Sequence, residues 1–254
     1  MVAWADAARR VEQWLLPAEC LACQQRVLEA GEPLVCAACR VQWRALPEPI
    51  CRTCGEPSPL GLACRLCAGW PAGFGPVHSA VYLDAKVRPL VHRFKYQGWP
   101  RLAGAFAARM APLLAGVTDA DLVPVPLASG RHRARGYNQA EVLAQALGAL
   151  TGLPCRPERL RRTRSTPTQT RLAPEARLAN LAAAFQAAPG ERGAILVDDV
   201  FTTGATLVSA AGALLDAGAS RVLAITFARA EPSLAGAAAR LRSAIHPFPT
   251  EEFP

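Results

Sequence analysis

Apolar positions along the chain fall into short runs divided by Gly, Pro and charged turns, and their period changes from run to run. Val77-His78-Ser79-Ala80-Val81-Tyr82-Leu83 alternates apolar and polar residues as a half-buried strand does, and Asp84 ends it. Val87, Leu90, Val91 and Phe94 then recur at helical spacing, with Arg88, His92, Arg93 and Lys95 on other faces. Asp121 to Leu127 reads as a strand whose two prolines place it at an edge or a constrained end. Val142, Leu143, Ala146, Leu147 and Leu150 predict a packed helix over about 139–150. A helix over about 175–185 leads to the β-branched apolar run Ile195-Leu196-Val197, a buried strand. Leu207, Ala210, Ala211, Leu214 and Leu215 define the next helix, Gly218 stops it, and Val222 to Phe227 is another buried strand. Strands alternating with helices predict an α/β fold with a parallel sheet.

The first quarter of the chain reads differently. Residues 4–16 fit a short amphipathic helix that ends at Pro17. Four CxxC knuckles follow: Cys20 and Cys23, Cys36 and Cys39, Cys51 and Cys54, Cys64 and Cys67. In a reducing compartment such pairs supply four thiolates to a tetrahedral zinc, so eight cysteines imply two structural zinc ions. Sequential pairing joins the first two knuckles at one metal and the last two at the other; interleaved pairing fits the same spacing. A redox role needs a thioredoxin-like βαβ setting that the segment lacks. Cys155 stands alone and reads as a small apolar residue.

Candidate chemistry concentrates where the strand 195–197 gives way to Asp198, Asp199 and the turn Thr202-Thr203-Gly204-Ala205-Thr206. In parallel α/β sheets ligands bind beyond the carboxyl ends of the strands, which places both carboxylates at a site. Small residues at the start of the next helix let a phosphate sit on unpaired backbone amides. Carboxylates do not hold phosphate; they suit ribose hydroxyls or magnesium. Three plainer explanations compete: a Walker B strand, an acidic receiver-type pocket, and an ordinary helix cap. No GxxxxGK[ST] accompanies the strand, a receiver pocket does not call for the turn, and a cap needs only one Thr. Arg131, Arg133 and Arg135 form a basic stretch after the 121–127 strand, and residues 161–170, which lack any apolar period, read as a mobile loop.

The segment VDDVFTTGAT resembles the phosphoribosyl-pyrophosphate loop of type I phosphoribosyltransferases. The motif order HRFKYQG, VPVPL, RARGYNQAEVLA and TQTRLAPEARLANLAAAF is similar to that of the ComF competence-protein family, from the knuckles to about residue 229. This resemblance implies a type I phosphoribosyltransferase-like parallel sheet flanked by helices, with an N-terminal cysteine-rich zinc-ribbon module. It implies that Asp198 and Asp199 are the catalytic acids that hold the ribose hydroxyls. Thr202, Thr203, Gly204, Ala205 and Thr206 cup the 5′-phosphate, while Lys95, Arg133 and Arg135 contact the donor. Thr168 and Gln169 belong to a lid over the diphosphate, and Arg177 and Asn180 are further family positions. Magnesium accompanies phosphoribosyl pyrophosphate, and the implied role is in DNA uptake and natural transformation. A non-enzymatic handler of single-stranded DNA on the same fold is the alternative, with Tyr137 as its stacking residue and other competence proteins, such as a DNA helicase, as partners. Hypoxanthine-type enzymes carry an Asp where this chain has Thr202, so purine salvage of that type does not fit, and the acceptor stays open.

Composition adds bounds rather than direction. The 254 residues suit one large domain and a small module, divided here as 1–75, 76–230 and a tail 231–254. A net charge of +8 fits polyanionic partners, which a diphosphate ester already satisfies. No apolar run approaches a membrane span, and the N-terminus lacks the basic start and apolar core of a secretory signal; a cytoplasmic protein is expected.

Overall fold

The structure, a computed structural model, describes residues 19–27, 34–57, 64, 66–163 and 184–230. The helix expected over 4–16, the lid residues Thr168 and Gln169, the positions Arg177 and Asn180, and the tail lie outside these residues.

Four parallel strands form the central sheet in the order β1-β6-β5-β2: β1 Phe74–Tyr82, β2 Ala120–Pro124, β5 Gly193–Phe201 and β6 Val222–Arg229. A separate antiparallel pair, β3 Leu160–Arg162 and β4 Phe185–Ala187, sits apart from it. The helices are α1 Ala37–Val41, α2 Arg88–Tyr96, α3 Leu102–Met110, α4 Ser129–Arg135, α5 Gln139–Thr151 and α6 Ala205–Asp216. The sheet separates two cores. Leu90 and Phe94 of α2, Phe106 of α3 and Leu143 and Leu147 of α5 pack with Ile195, Val197 and Phe227 on one side. Leu207, Ala210, Ala211 and Leu214 of α6 pack with Leu196, Ala224, Phe74, Leu160 and Phe185 on the other.

Several elements depart from the sequence pattern for identifiable reasons. Strand β2 ends at Pro124; Val125 still donates to the Val197 carbonyl at 3.0 Å, but its own carbonyl accepts from Asn138 Nδ2 at 3.2 Å. Leu150 is 56 % exposed; the buried stripe of α5 is Ala140, Leu143, Ala144 and Leu147, one residue offset from the predicted face. Arg161 and Arg162 lie in β3 rather than a loop, and Phe185 lies in β4 rather than at a helix end. A three-residue strand is too short to show a period. Arg159 fixes this pair from below: its buried guanidinium donates to Asp121 at 2.9 Å and to the carbonyls of Gly190, Arg192 and Gly193.

Both ribbons pack directly on the sheet domain. Trp43, which follows the first ribbon, sits edge-on to Phe227 at 5.2 Å and to Phe106 at 6.1 Å in the first core. Knuckle 51–54 of the second ribbon lies against β1, where Val77 N donates to the Thr53 carbonyl at 2.8 Å. A Cβ on Gly55 would meet the Val77 carbonyl at 2.8 Å, and the residue has φ of +69°, so only glycine allows this approach.

Candidate functional site: an acidic strand end, an uncapped helix and two thiolate clusters

Strand β5 does not end at Val197; it runs on through both acids to Phe201, with Asp198 opposite Thr226 and Phe201 opposite Arg229 in β6. Its alternation slips at the acidic pair. Ile195 and Val197 face the first core and Ala194 and Leu196 the second, yet beyond the pair Val200 joins the first and Phe201 the second. Asp199 is 2 % exposed. Its Oδ1 accepts from Lys95 Nζ of α2 at 3.0 Å, whereas Oδ2 has no donor among the described residues. Asp198 Oδ1 accepts from the Asp199 amide at 2.8 Å. Burial, reinforced by the Asp199 charge, pushes Asp198 up to about 8 against the pull of Lys95. While Asp198 keeps its proton, Lys95 balances the charge of Asp199; ionising Asp198 adds a second negative charge beside that single lysine.

The turn that follows is open where an ordinary helix start is closed. Gly204 is the N-cap of α6 in the left-handed region, φ +78°, and no side chain caps the helix. The threonines around it therefore leave the first-turn amides unsatisfied, against the plain helix-cap explanation. A recess of about 40 Å³ lies here, lined by Asp198 and the whole turn from Thr202 to Thr206. Thr202 and Thr203 are exposed and Gly204 is buried.

The two arginines assigned to the donor part company. Helix α4 is a single seven-residue element, not a loop, and it directs them to different neighbours. Arg135 lies over the Tyr96 ring at 4.8 Å and bonds Gln139 Oε1. Burial raises the Tyr137 hydroxyl, while the Arg135 charge lowers it and the Asp199 charge raises it. Arg133 lines a different recess of about 460 Å³ with His132, Arg161, Arg162, Pro126, Leu127 and Leu160 among its walls. Tyr137 donates its hydroxyl to the Phe94 carbonyl and is half-buried. The exposed ring is Tyr96, 65 % exposed between His92 and Arg135. Asn138 caps α5 through the Ala140 amide. Cys155 is partly buried, its thiol pushed up by burial, as a packing residue is.

The cysteines pair sequentially. Cys20, Cys23, Cys36 and Cys39 bring their Sγ atoms within 4.8 Å of one another, and Cys51, Cys54, Cys64 and Cys67 do the same. Four thiolates on a tetrahedral zinc with bonds of about 2.3 Å stand about 3.8 Å apart. Cys23 and Cys36 are 3.9 Å apart, Cys51 and Cys67 3.7 Å, and Cys54 and Cys64 3.4 Å, so both donor sets fit zinc and none forms a disulfide. Each set contains one thiol poised to ionise. Burial raises Cys20, but N–H donors from Cys36 and Ala22, each at 3.4 Å to Sγ, help bring it down to about 7. Cys51 falls to about 7 in the same way, while burial and neighbouring sulfurs push Cys67 up to about 11.

Two metal ribbons docked on a parallel α/β sheet, with an acidic strand end before an uncapped helix, define the class. Residues 11–68 match the double zinc ribbon domain family. The chain is 30 % identical over 217 residues to the DNA utilization protein YhgH of Escherichia coli K12, covering 82 % of this chain and 95 % of that one. It is 30 % identical over 206 residues to the competence protein ComFC of Bacillus subtilis, covering 77 % and 84 %. With competence protein F of Haemophilus influenzae it shares 31 % over 208 residues, 74 % and 86 % of the two chains. The chain belongs to the ComF family of competence and DNA-utilization proteins. Among the described residues no helix is long and apolar enough to cross a membrane.

The elevated Asp198 gives a signed pH dependence. Between its ordinary value near 3.8 and about 8 the folded chain holds a proton there that the unfolded chain has released. Stability of the ligand-free protein therefore falls as pH rises through that window and levels off above it. Denaturant titrations at about pH 5.5 and about pH 8.5 should show this loss in the wild type and not in Asp198→Asn. The difference between the two proteins isolates the group from thiol titration, and equal slopes would refute the assignment.

Proposed function

We propose that this chain is a competence-type protein, acting in DNA uptake and natural transformation, that binds magnesium phosphoribosyl pyrophosphate at the end of β5. The observation that carries this reading is the pairing of an unmatched, buried Asp199 oxygen with an uncapped helix start a few residues on. A ligand that brings hydroxyls and a phosphate on one sugar completes both. Asp198 and Asp199 take the ribose hydroxyls, Thr202 to Thr206 the 5′-phosphate, and Lys95 and Arg135 stand beside the diphosphate, which carries its magnesium with it. Loss of pyrophosphate to a nucleophile at C1 is the chemistry such a site serves, through positioning and charge stabilisation.

A second reading has its own observation. The recess holding His132, Arg133, Arg161 and Arg162 combines cations with the apolar walls Pro126, Leu127 and Leu160, as a nucleotide of a single strand requires. On this reading the chain handles single-stranded DNA without catalysis.

One titration series separates the two. Calorimetry with phosphoribosyl pyrophosphate should show magnesium-dependent binding that weakens by about 10- to 100-fold in Asp199→Asn, since hydrogen bonds to charged groups contribute about 1.5–3 kcal/mol. No heat with the wild type ends the first reading. A labelled single strand titrated across salt should lose about 1.4 in log–log slope when Arg133 and Arg161 are both replaced by Ala. A flat salt response ends the second.

A further inference from the structure

The second ribbon reaches the phosphate turn by two separate routes. In the first, Arg229 at the end of β6 is 1 % exposed and donates from Nη1 to the Cys54 carbonyl at 2.7 Å and from Nη2 to Glu56 Oε2 at 2.5 Å. The same guanidinium lies over the Phe201 ring, 4.0 Å from its centroid. Phe201 in turn closes beneath Gly204: a Cβ there would stand 3.0 Å from the ring's Cε2 and Cζ atoms. In the second route, the Trp70 amide donates to the Cys67 carbonyl at 3.2 Å. The Trp70 ring stacks on Phe74 at 4.9 Å and brings Cζ2 within 3.2 Å of the same Gly204 Cβ position. Cys54 and Cys67, two of the four thiolates of one cluster, thus reach Gly204 through two residues, Arg229 and Phe201, and through one, Trp70, respectively.

Among the described residues the first ribbon has no such reach. Val35 and Trp43 pack in the core on the opposite face of the sheet from Phe74 and Phe201.

We propose that the second zinc ribbon holds the phosphate-binding turn in shape, with Arg229 and Trp70 as positioning residues, so that zinc at Cys51, Cys54, Cys64 and Cys67 sets the turn's affinity for its ligand. The physical step is the fate of Arg229. With zinc bound, the knuckle presents the Cys54 carbonyl and Glu56 to a guanidinium that has no water around it. When zinc leaves, the knuckle loses the ligand bonds that fold it, and the guanidinium is left without its acceptors. It relaxes toward solvent and takes its face off Phe201, and the left-handed cap at Gly204 loses its packing from both sides. The ligand's identity rests on the phosphoribosyl reading; the coupling does not.

The test compares full-length Cys51→Ser, Cys23→Ser and Arg229→Lys with wild type, after zinc content is measured for each. Amide hydrogen exchange of ligand-free protein is read at Val208, whose amide donates to the Gly204 carbonyl at 2.9 Å, with Leu122 and Val123 in β2 as the reference for global opening. Cys51→Ser should lose one zinc and raise exchange at Val208 by about tenfold with β2 unchanged, and Cys23→Ser should lose the other zinc without that effect. Arg229→Lys keeps the charge but not the fork, so it should keep both zincs and still loosen the turn, which a residue acting only on overall stability would not do. Magnesium phosphoribosyl pyrophosphate should bind about tenfold more weakly to Cys51→Ser and Arg229→Lys. Unchanged exchange at Val208 in Arg229→Lys, or an equal rise in Cys23→Ser, overturns the coupling. If Cys51→Ser does not fold, Arg229→Lys decides alone. Wild type that shows the exchange contrast but binds no phosphoribosyl pyrophosphate overturns the donor assignment and supports the coupling.

Discussion

Removing both zinc ions is expected to unfold the N-terminal module outright and to pull Trp43 out of the first core. Between residues 19 and 57 the described chain holds one helix, Ala37–Val41, which buries no residue, and isolated bridges such as Glu19 to Arg26 and Ile50 to Pro57. So little regular structure leaves the module dependent on its metal, since a closed four-thiolate site contributes on the order of 10 kcal/mol, comparable to the whole stability of a typical domain. Trp43, 4 % exposed between Phe106 and Phe227, hangs on the first site and leaves the core when it opens. A chelator titration followed by near-ultraviolet circular dichroism and a thiol-reactive dye should release two zinc ions per chain, with loss of the aromatic signal and eight newly reactive thiols among the nine cysteines. A protein that keeps its aromatic signal after full release would contradict the assignment of the clusters as structural.

The parts of this molecule that were legible in the sequence are those whose chemistry is local. Knuckle spacing announces thiolate pairs wherever the chain folds, and Asp198, Asp199 and the turn are contiguous, so their strand end and helix start follow from one stretch. The depth of Asp199 was not legible, because it depends on Lys95 arriving from α2, and neither was the slip in strand alternation across the acids. Spacing alone left the pairing of the knuckles open, and the sulfur distances close it. Helix α3 was missed because four of its nine residues are Ala and one is Gly, which blurs its stripe, although Leu102, Phe106 and Met110 do recur at helical spacing. The least legible features are long-range. Arg229 meets Glu56 across 173 positions, and nothing near either residue signals the other. Even so, a buried arginine at the end of a central strand is a signal of its own kind: it requires an acceptor from elsewhere in the fold.

Lys95→Met is expected to destabilise the ligand-free protein by about 3–5 kcal/mol near pH 8, the cost of leaving a buried charge without its partner. Lys95 holds Asp199 Oδ1 at 3.0 Å with 23 % of its own side chain exposed, so methionine preserves most of the packing and removes only the charge and its hydrogen bond. Asp199 then keeps neither a cation nor a donor on its second oxygen, and Asp198 stands beside it. The acids answer by holding a proton to higher pH, since Lys95 is the one influence pulling Asp198 down by charge. The stability deficit should therefore shrink as pH falls toward about 5, where a proton replaces the missing lysine, and grow as pH rises. Lys95→Met combined with Asp199→Asn separates this from a packing defect: if charge is the cause, the double variant recovers most of the loss, and the coupling in the double-mutant cycle is close in size to the single deficit and opposite in sign. A deficit that is independent of pH and additive with Asp199→Asn would mean that the two side chains do not share a charge balance. In that case the strand end would lack the poised negative pair that a ribose ligand is proposed to complete.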